Sequence, residues 1–227
     1  MKVPDWRIAY NERPLGVGVH GVIEIYDDKG KLQHSFEGLS ADSSGKKMKP
    51  IGSAKFGDII KSQVLDSRFK SGNALEKPEN ATTVYVGSQT AVESVVRAMT
   101  VASKAIDEKK IPYQLPLVDS GFSAPTNSNS YIATMFAVMG LKKPPPITGT
   151  AMGQVGAGKL LLDPDEIAGF HGMIGQAENR NVPLPPIRPS AEIDGIGKQS
   201  MNETAPANVP SQPFYLRMPE MARKLYP

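Results

Sequence analysis

The stretch Asn127-Ser128-Asn129-Ser130-Tyr131-Ile132-Ala133-Thr134-Met135-Phe136-Ala137-Val138-Met139-Gly140 runs four small polar residues straight into an apolar pattern. Ile132, Met135, Phe136 and Met139 stand at i, i+3, i+4 and i+7, so they share one helical face. Asn129 or Ser130 is a natural N-cap, because its side-chain oxygen can accept from an unpaired N–H of the first turn. Gly140 supplies the stop, and Pro144-Pro145-Pro146 forbids continuation. The pattern predicts a short buried helix whose N-terminus presents Asn127 and Ser128. A hydroxyl there lies near unpaired N–H groups and the positive end of the helix dipole. A nucleophile and an oxyanion site can coexist at such a place. The plainer reading is a capped core helix preceded by solvated polar residues.

Upstream of this helix the periods change. Residues 82–86, Thr-Thr-Val-Tyr-Val, are β-branched and aromatic and predict a strand. Ser88 or Thr90 then caps a helix to about Lys109, with Val92, Val95, Val96, Met99, Ala102 and Ile106 at helical spacing. Pro112 ends it, and residues 113–126 read as a loop. Nearer the N-terminus, Val17, Val19, Ile23 and Ile25 alternate against His20, Val22, Glu24 and Tyr26. Asp27-Asp28-Lys29-Gly30 is a turn signal, and residues 31–39 alternate again, predicting a β-hairpin. Residues 1–15 read as an irregular lead-in anchored by Trp6. The pattern of residues 55–64 fits a short strand or a helical turn alike. Downstream, 161–181 holds a short helix near 165–169. From Val182 onward come nine of the chain's 20 prolines, too dense for a packed sheet or bundle. The expected organisation is an α+β domain over 1–160 and a Pro-rich extension over 161–227, wrapped over the domain or partly disordered.

Composition narrows the chemistry. With 227 residues and 40% hydrophobic content the chain can bury a full core. A net charge of +3, dispersed along the chain, and 7% aromatics argue against a nucleic-acid partner. The absence of cysteine removes disulfides, thiolate zinc sites and a thiol nucleophile. No apolar run approaches the roughly 18 residues of a membrane span. The first eleven residues lack the apolar region of a secretion signal, so the expectation is a cytoplasmic protein or one exported without such a signal.

Two motifs invite a cofactor reading and fail it. Gly153-Gln154-Val155-Gly156-Ala157-Gly158-Lys159-Leu160 has phosphate-loop spacing, but Leu160 stands where a hydroxyl must reach Mg²⁺. A proline run, not a strand, precedes it. His20, His34 and His171 show no metal-ligand spacing. No cofactor and no metal is expected. His171 reads as a satisfied residue, and a mid-strand His20 is ordinarily a packed one.

Ser128 acquires chemistry only with a base. A helix N-terminus favours an anion by about 0.3–1 kcal/mol. Ionising a serine at neutral pH costs far more, at about 1.4 kcal/mol per pKa unit. A base must therefore take the proton during attack. His20, held on a strand, is best placed, and His34 is second. Glu37, Glu24 or Asp27 could orient the imidazole, and the spacing does not choose among them.

The order of these parts resembles a known arrangement. A His-Gly-Val-Ile-Glu-Ile-Tyr strand, a hairpin ending Phe-Glu-Gly-Leu and an Asn-Ser-Asn-Ser-Tyr-Ile helix start resemble the circularly permuted papain-like superfamily. The nearest group is the PPPDE, or desumoylating-isopeptidase-like, proteins, with a strand histidine first and an Asn-Cys-Asn helix start later. The chain also resembles uncharacterised bacterial proteins carrying an Asn-Ser-Asn-Ser/Thr box, some associated with secreted effectors or toxins. The likeness covers about residues 16–140. It implies His20 as base and Ser128 in the nucleophile position, with Asn127, Asn129 or a backbone N–H holding the oxyanion. Serine in place of the family's cysteine is a departure, since a thiolate–imidazolium pair drives the papain-like site. Three outcomes follow: a serine hydrolase or acyltransferase, an inactive scaffold that binds protein, or an engineered Cys→Ser replacement. The first implies a peptide, peptidoglycan or lipid-ester substrate and an immunity or secretion protein as partner. The second implies the Pro-rich tail as a partner-contacting arm.

Overall fold

The computed structural model describes residues 5–14, 19–49, 51–66, 81–115, 118–120, 124–143 and 155–178. Among them an antiparallel sheet and three helices make an α+β fold. The strands are β1 (Trp6–Pro14), β2 (Val19–Tyr26), β3 (Leu32–Ala41), β4 (Met48–Lys49), β5 (Ile59–Asp66) and β6 (Thr82–Gly87). The helices are α1 (Gln89–Lys109), α2 (Ser128–Val138) and α3 (Pro164–Glu178).

β2 and β3 form the expected hairpin. Gly30 takes φ 75° at its tip, and the Asp27 carboxylate accepts from the N–H groups of Lys29 and Lys31. The residues read as an irregular lead-in are instead β1, which lies between β2 and β6. Its polar residues hid its period. Tyr10 donates to Glu12 at 2.8 Å, and Asn11 reaches the Glu24 carboxylate that Tyr26 also bonds. Central pairing outweighs local polarity where each buried polar group has a partner. Residues 55–64 contain both alternatives, a 3₁₀ turn over Ala54–Phe56 and then β5.

α1 begins where expected, with the Ser88 hydroxyl accepting from Ala91 N–H. Its valine, methionine and isoleucine stripe is buried against α2, α3 and the sheet. α2 starts two residues earlier than Asn129 capping requires. The cap is Asn127, whose Oδ1 accepts from Asn129 and Ser130 N–H, with Ser130 Oγ returning to Asn127 N–H. α3 is longer than expected. Asp163 and Glu166 cap it reciprocally, at 2.9 and 3.0 Å. Leu161, Leu162 and Ile174 enter the common core. The packed core of the domain thus continues past residue 160 into α3. The proline-dense arm lies outside the described residues. No helix among the described residues is long and apolar enough to cross a membrane.

One feature of the sheet prepares the site. β3 pairs along one edge with β5, from His34 to Ala41. Its other edge is divided. Residues 32–36 pair with β2, and Ser40 and Ala41 pair with β4. Glu37, Gly38 and Leu39 have no strand against that edge among the described residues. β2 meanwhile stays with β1 as far as Val19. The sheet opens between residues 19–22 of β2 and 37–39 of β3.

Lys143, half-buried beyond α2, has its ammonium 5.3 Å from the centre of the Tyr10 ring. Burial pulls its pKa down to about 8, against an opposing pull from Glu12. Stability from neutral Lys143 is complete above the ordinary 10.5 and lost as pH falls through about 8. Lys143→Met is expected to be more stable than the natural chain at pH 7. It also flattens the rise in stability between about pH 8 and 10.5. Urea unfolding at pH 7 and 10 measures both.

Candidate active site

Two side chains meet across the opening. His20 Nε2 lies 2.9 Å from Glu37 Oε2, and both residues are 5% exposed. Of the three carboxylates considered, Glu37 is the one that meets the imidazole. Glu24 is engaged by Asn11 and Tyr26, and Asp27 by its own turn. A carboxylate on Nε2 holds the ring proton there and leaves Nδ1 as the basic nitrogen.

The mouth of α2 comes to the same place. Asn129 Nδ2 donates to Val19 O at 3.3 Å, one residue from His20. A strand carbonyl lies in the plane of its sheet, so this bond brings the first turn of α2 to the level of the opening. Gly38 makes room: an added Cβ would lie 2.5 Å from Tyr131 Cβ. Gly21 does the same for Ile132, whose Cγ1 would lie 3.1 Å from a Cβ there. Strand alternation therefore sends His20 and Glu37 to the pleat opposite that on which Tyr131 and Ile132 pack.

The two asparagines are spent on architecture. Asn127 Nδ2 donates to Val155 O at 3.0 Å while its Oδ1 caps the helix. Asn129 Nδ2 is shared between Val19 O and Val155 O. Both N–H groups of Asn129 Nδ2 are thereby engaged, and one of the two on Asn127 Nδ2. Asn129 Oδ1 is buried without a hydrogen-bond partner. The backbone N–H of Ser128 is a further donor of that set. It and the Ser128 hydroxyl lie beside the Tyr113 phenol. Burial pushes the Tyr113 pKa up, and the neighbouring Ser128 partly offsets it. Ser128 is itself 6% exposed.

Tyr113 was not legible as a site residue. It lies in the loop after α1, fixed by its N–H to Asp58 O at 2.8 Å and by Thr126 Oγ1 bonding Pro112 O. The loop with phosphate-binding spacing also supports the start of α2. Among its described residues, 155–160, the Val155 and Gly156 carbonyls face the first turn of α2 and accept from Asn127, Asn129 and Ser130. Carbonyl oxygens repel phosphate. His34 lies half-buried farther along β3, opposite Ile25 and Asp66. His171 Nδ1 sits 3.3 Å from Val138 O, at the end of α2. Among the described residues no group of three or more His, Asp or Glu side chains could hold a metal ion.

The structure thus joins His20 to Glu37 directly, Asn129 to the strand beside His20, and Ser128 to Tyr113. Comparison with protein-family models, with curated proteins and with solved structures finds no match.

Proposed function

We propose that the mouth of α2 is an acyl-transfer centre on a permuted papain-like arrangement, cleaving an amide or ester with Ser128, His20 and Glu37. The observation that carries this reading is the buried His20–Glu37 pair at 2.9 Å, which leaves Nδ1 as a base held by a sheet. Ser128 turns from Tyr113 and gives its proton to His20 Nδ1 as Oγ bonds the substrate carbonyl carbon. The carbonyl oxygen takes the position of the Tyr113 phenol and accepts from Ser128 N–H. Collapse breaks the C–N or C–O bond, and the imidazolium protonates the leaving group. Water, deprotonated by the same nitrogen, releases the acyl group. A groove of about 340 Å³ flanks Tyr113, lined by Pro112, Gln114, Thr126, Leu160 and Leu161, and can receive the acyl side of the substrate. The resemblance supplies the class of role: a bacterial effector acting on a peptide, peptidoglycan stem or lipid ester, countered by an immunity protein.

A second reading, a catalytically silent scaffold that binds protein, is favoured by two particulars. Ser128 is buried beside the Tyr113 phenol, and His20 rises from the pleat opposite α2's packing face. A serine-reactive phosphonate distinguishes the two readings. Under the catalytic reading it modifies Ser128. Tyr113→Phe, which removes the competing acceptor, speeds modification by about two- to tenfold, the worth of one hydrogen bond. No adduct at Ser128 in either protein leaves the scaffold reading.

A further inference from the structure

The tip of the molecule that carries β4 and the following 3₁₀ turn does not serve the site, and its chemistry is specific. Phe56 is 81% exposed, the most exposed large apolar side chain among the described residues. Met48 and Ile51, at 38% and 37%, are exposed in the same segment. Lys46, Lys47 and Lys55 are exposed around them, with no ion pair among the described residues.

The carboxylates of this tip are each held by its own polar groups. Asp42 accepts from Ser44 Oγ and from the N–H groups of Lys46 and Lys47. Asp58, 2% exposed, pairs with Lys49 and accepts from Ser53 N–H. Asp119 holds Ser53 Oγ and Leu115 N–H. The outward-facing groups are three ammonium groups, the hydrocarbon of Met48, Ile51 and Phe56, and the small hydroxyls of Ser43 and Ser44, with the Asp42 carboxylate also at the surface.

Phe56 is held out by construction. Ser53 caps the 3₁₀ turn, Gly57 ends it at φ 74°, and Phe56 N–H bonds Ser53 O at 3.0 Å. Asp58 N–H returns to the same carbonyl at 3.2 Å. An added Cβ at Gly57 would lie 3.8 Å from Ser43 Cβ, so the turn abuts the β3–β4 connection that carries Lys46 and Lys47. An aromatic ring fixed outward is a feature to be explained, because burying it would stabilise the fold.

We infer that this tip docks on an anionic lipid surface, with Phe56, Met48 and Ile51 entering the interfacial region and the three lysines among the headgroups. Aromatic rings settle at the membrane–water boundary, and lysine stems follow apolar surface while their ammonium groups stay at headgroup level. Each lysine near an anionic leaflet adds attraction that salt screens. Lysine is depleted from the cores of protein interfaces, which weighs against a protein occupant. The inference is independent of the acyl-transfer reading.

The test is co-sedimentation of the full chain with vesicles of neutral phosphatidylcholine and of the same lipid with about 30% phosphatidylserine, near the anionic content of a cytoplasmic leaflet. The expected result is binding to anionic vesicles only. It is weakened about tenfold by Phe56→Glu and by joint Lys46→Gln, Lys47→Gln and Lys55→Gln, and is lost as salt rises from about 0.1 to 0.5 M. Phe56→Trp, read against the same chain without it, gives a blue-shifted emission on those vesicles. No binding to anionic vesicles overturns the proposal, as does equal binding to neutral ones or binding unchanged by both sets of variants. Loss of binding to added single-stranded RNA with no return on more lipid assigns the tip to nucleic acid and also overturns it.

Discussion

Glu37→Gln is expected to lower the rate of Ser128 modification by about 10³-fold while leaving the fold intact, as loss of the orienting carboxylate does in serine triads. The reason lies in the tautomer. The Glu37 carboxylate accepts only, so His20 Nε2 must carry the proton and Nδ1 must be the base. A glutamine of the same shape can present its NH₂ to Nε2. The ring proton then moves to Nδ1, and the basic nitrogen faces the wrong way. Because the amide still hydrogen-bonds the imidazole, stability changes by less than about 1 kcal/mol. His20→Ala is expected to match the kinetic loss, since orienter and base act as one unit. Adduct formation measured over time, with urea unfolding of each variant, separates chemistry from folding. Equal rates in the natural chain and Glu37→Gln exclude a role for the pair in catalysis.

Gly38→Ala is expected to cost about 3 kcal/mol of folding stability, at the upper end of overpacking effects. The new methyl would meet Tyr131 Cβ at 2.5 Å and Cγ at 2.7 Å. Tyr131 cannot retreat. It is fully buried, and its hydroxyl is 2.7 Å from Ser103 Oγ on α1. Its Cβ is fixed to the α2 backbone, so relief requires moving the helix away from β3. That movement also strains the Asn129 bond to Val19 O and withdraws Ser128 from the opening. Urea unfolding gives the loss directly. A loss under 1 kcal/mol means that α2 is not seated on β3 as described.

Gly38 shows what a sequence conceals. Its neighbours Glu37 and Leu39 mark an ordinary hairpin strand, and only packing shows that the missing side chain admits a helix. The hairpin itself, the strand at 82–87 and the helical stripes of α1 and α2 were readable from local period, turn and cap signals, even though β2 is buried on both faces. β1 was not, because its polar residues satisfy each other across strands. The length of α3 was missed although Asp163-x-x-Glu166 is a legible capping pair. At the site, His20 and Glu37 could be named from residue type and strand position, and the structure brings them together. Tyr113 carried no signal, since its meeting with Ser128 depends on how the loop after α1 is tied to Asp58 and Thr126. The asparagine amides match an oxyanion hole in kind, and the carbonyls of residues 19 and 155, which no local pattern shows, accept from them in the fold.

The central claim is that the hydroxyl at the mouth of α2 can reach the imidazole on β2. The chain has no cysteine, so Ser128→Cys introduces a single thiol at that point. The pH dependence of its alkylation reports its ionisation. An imidazole within reach depresses the thiol to about 7 or below, from an ordinary value of about 8.5, and His20→Ala in the same background restores it. Identical profiles with and without His20 would contradict the account.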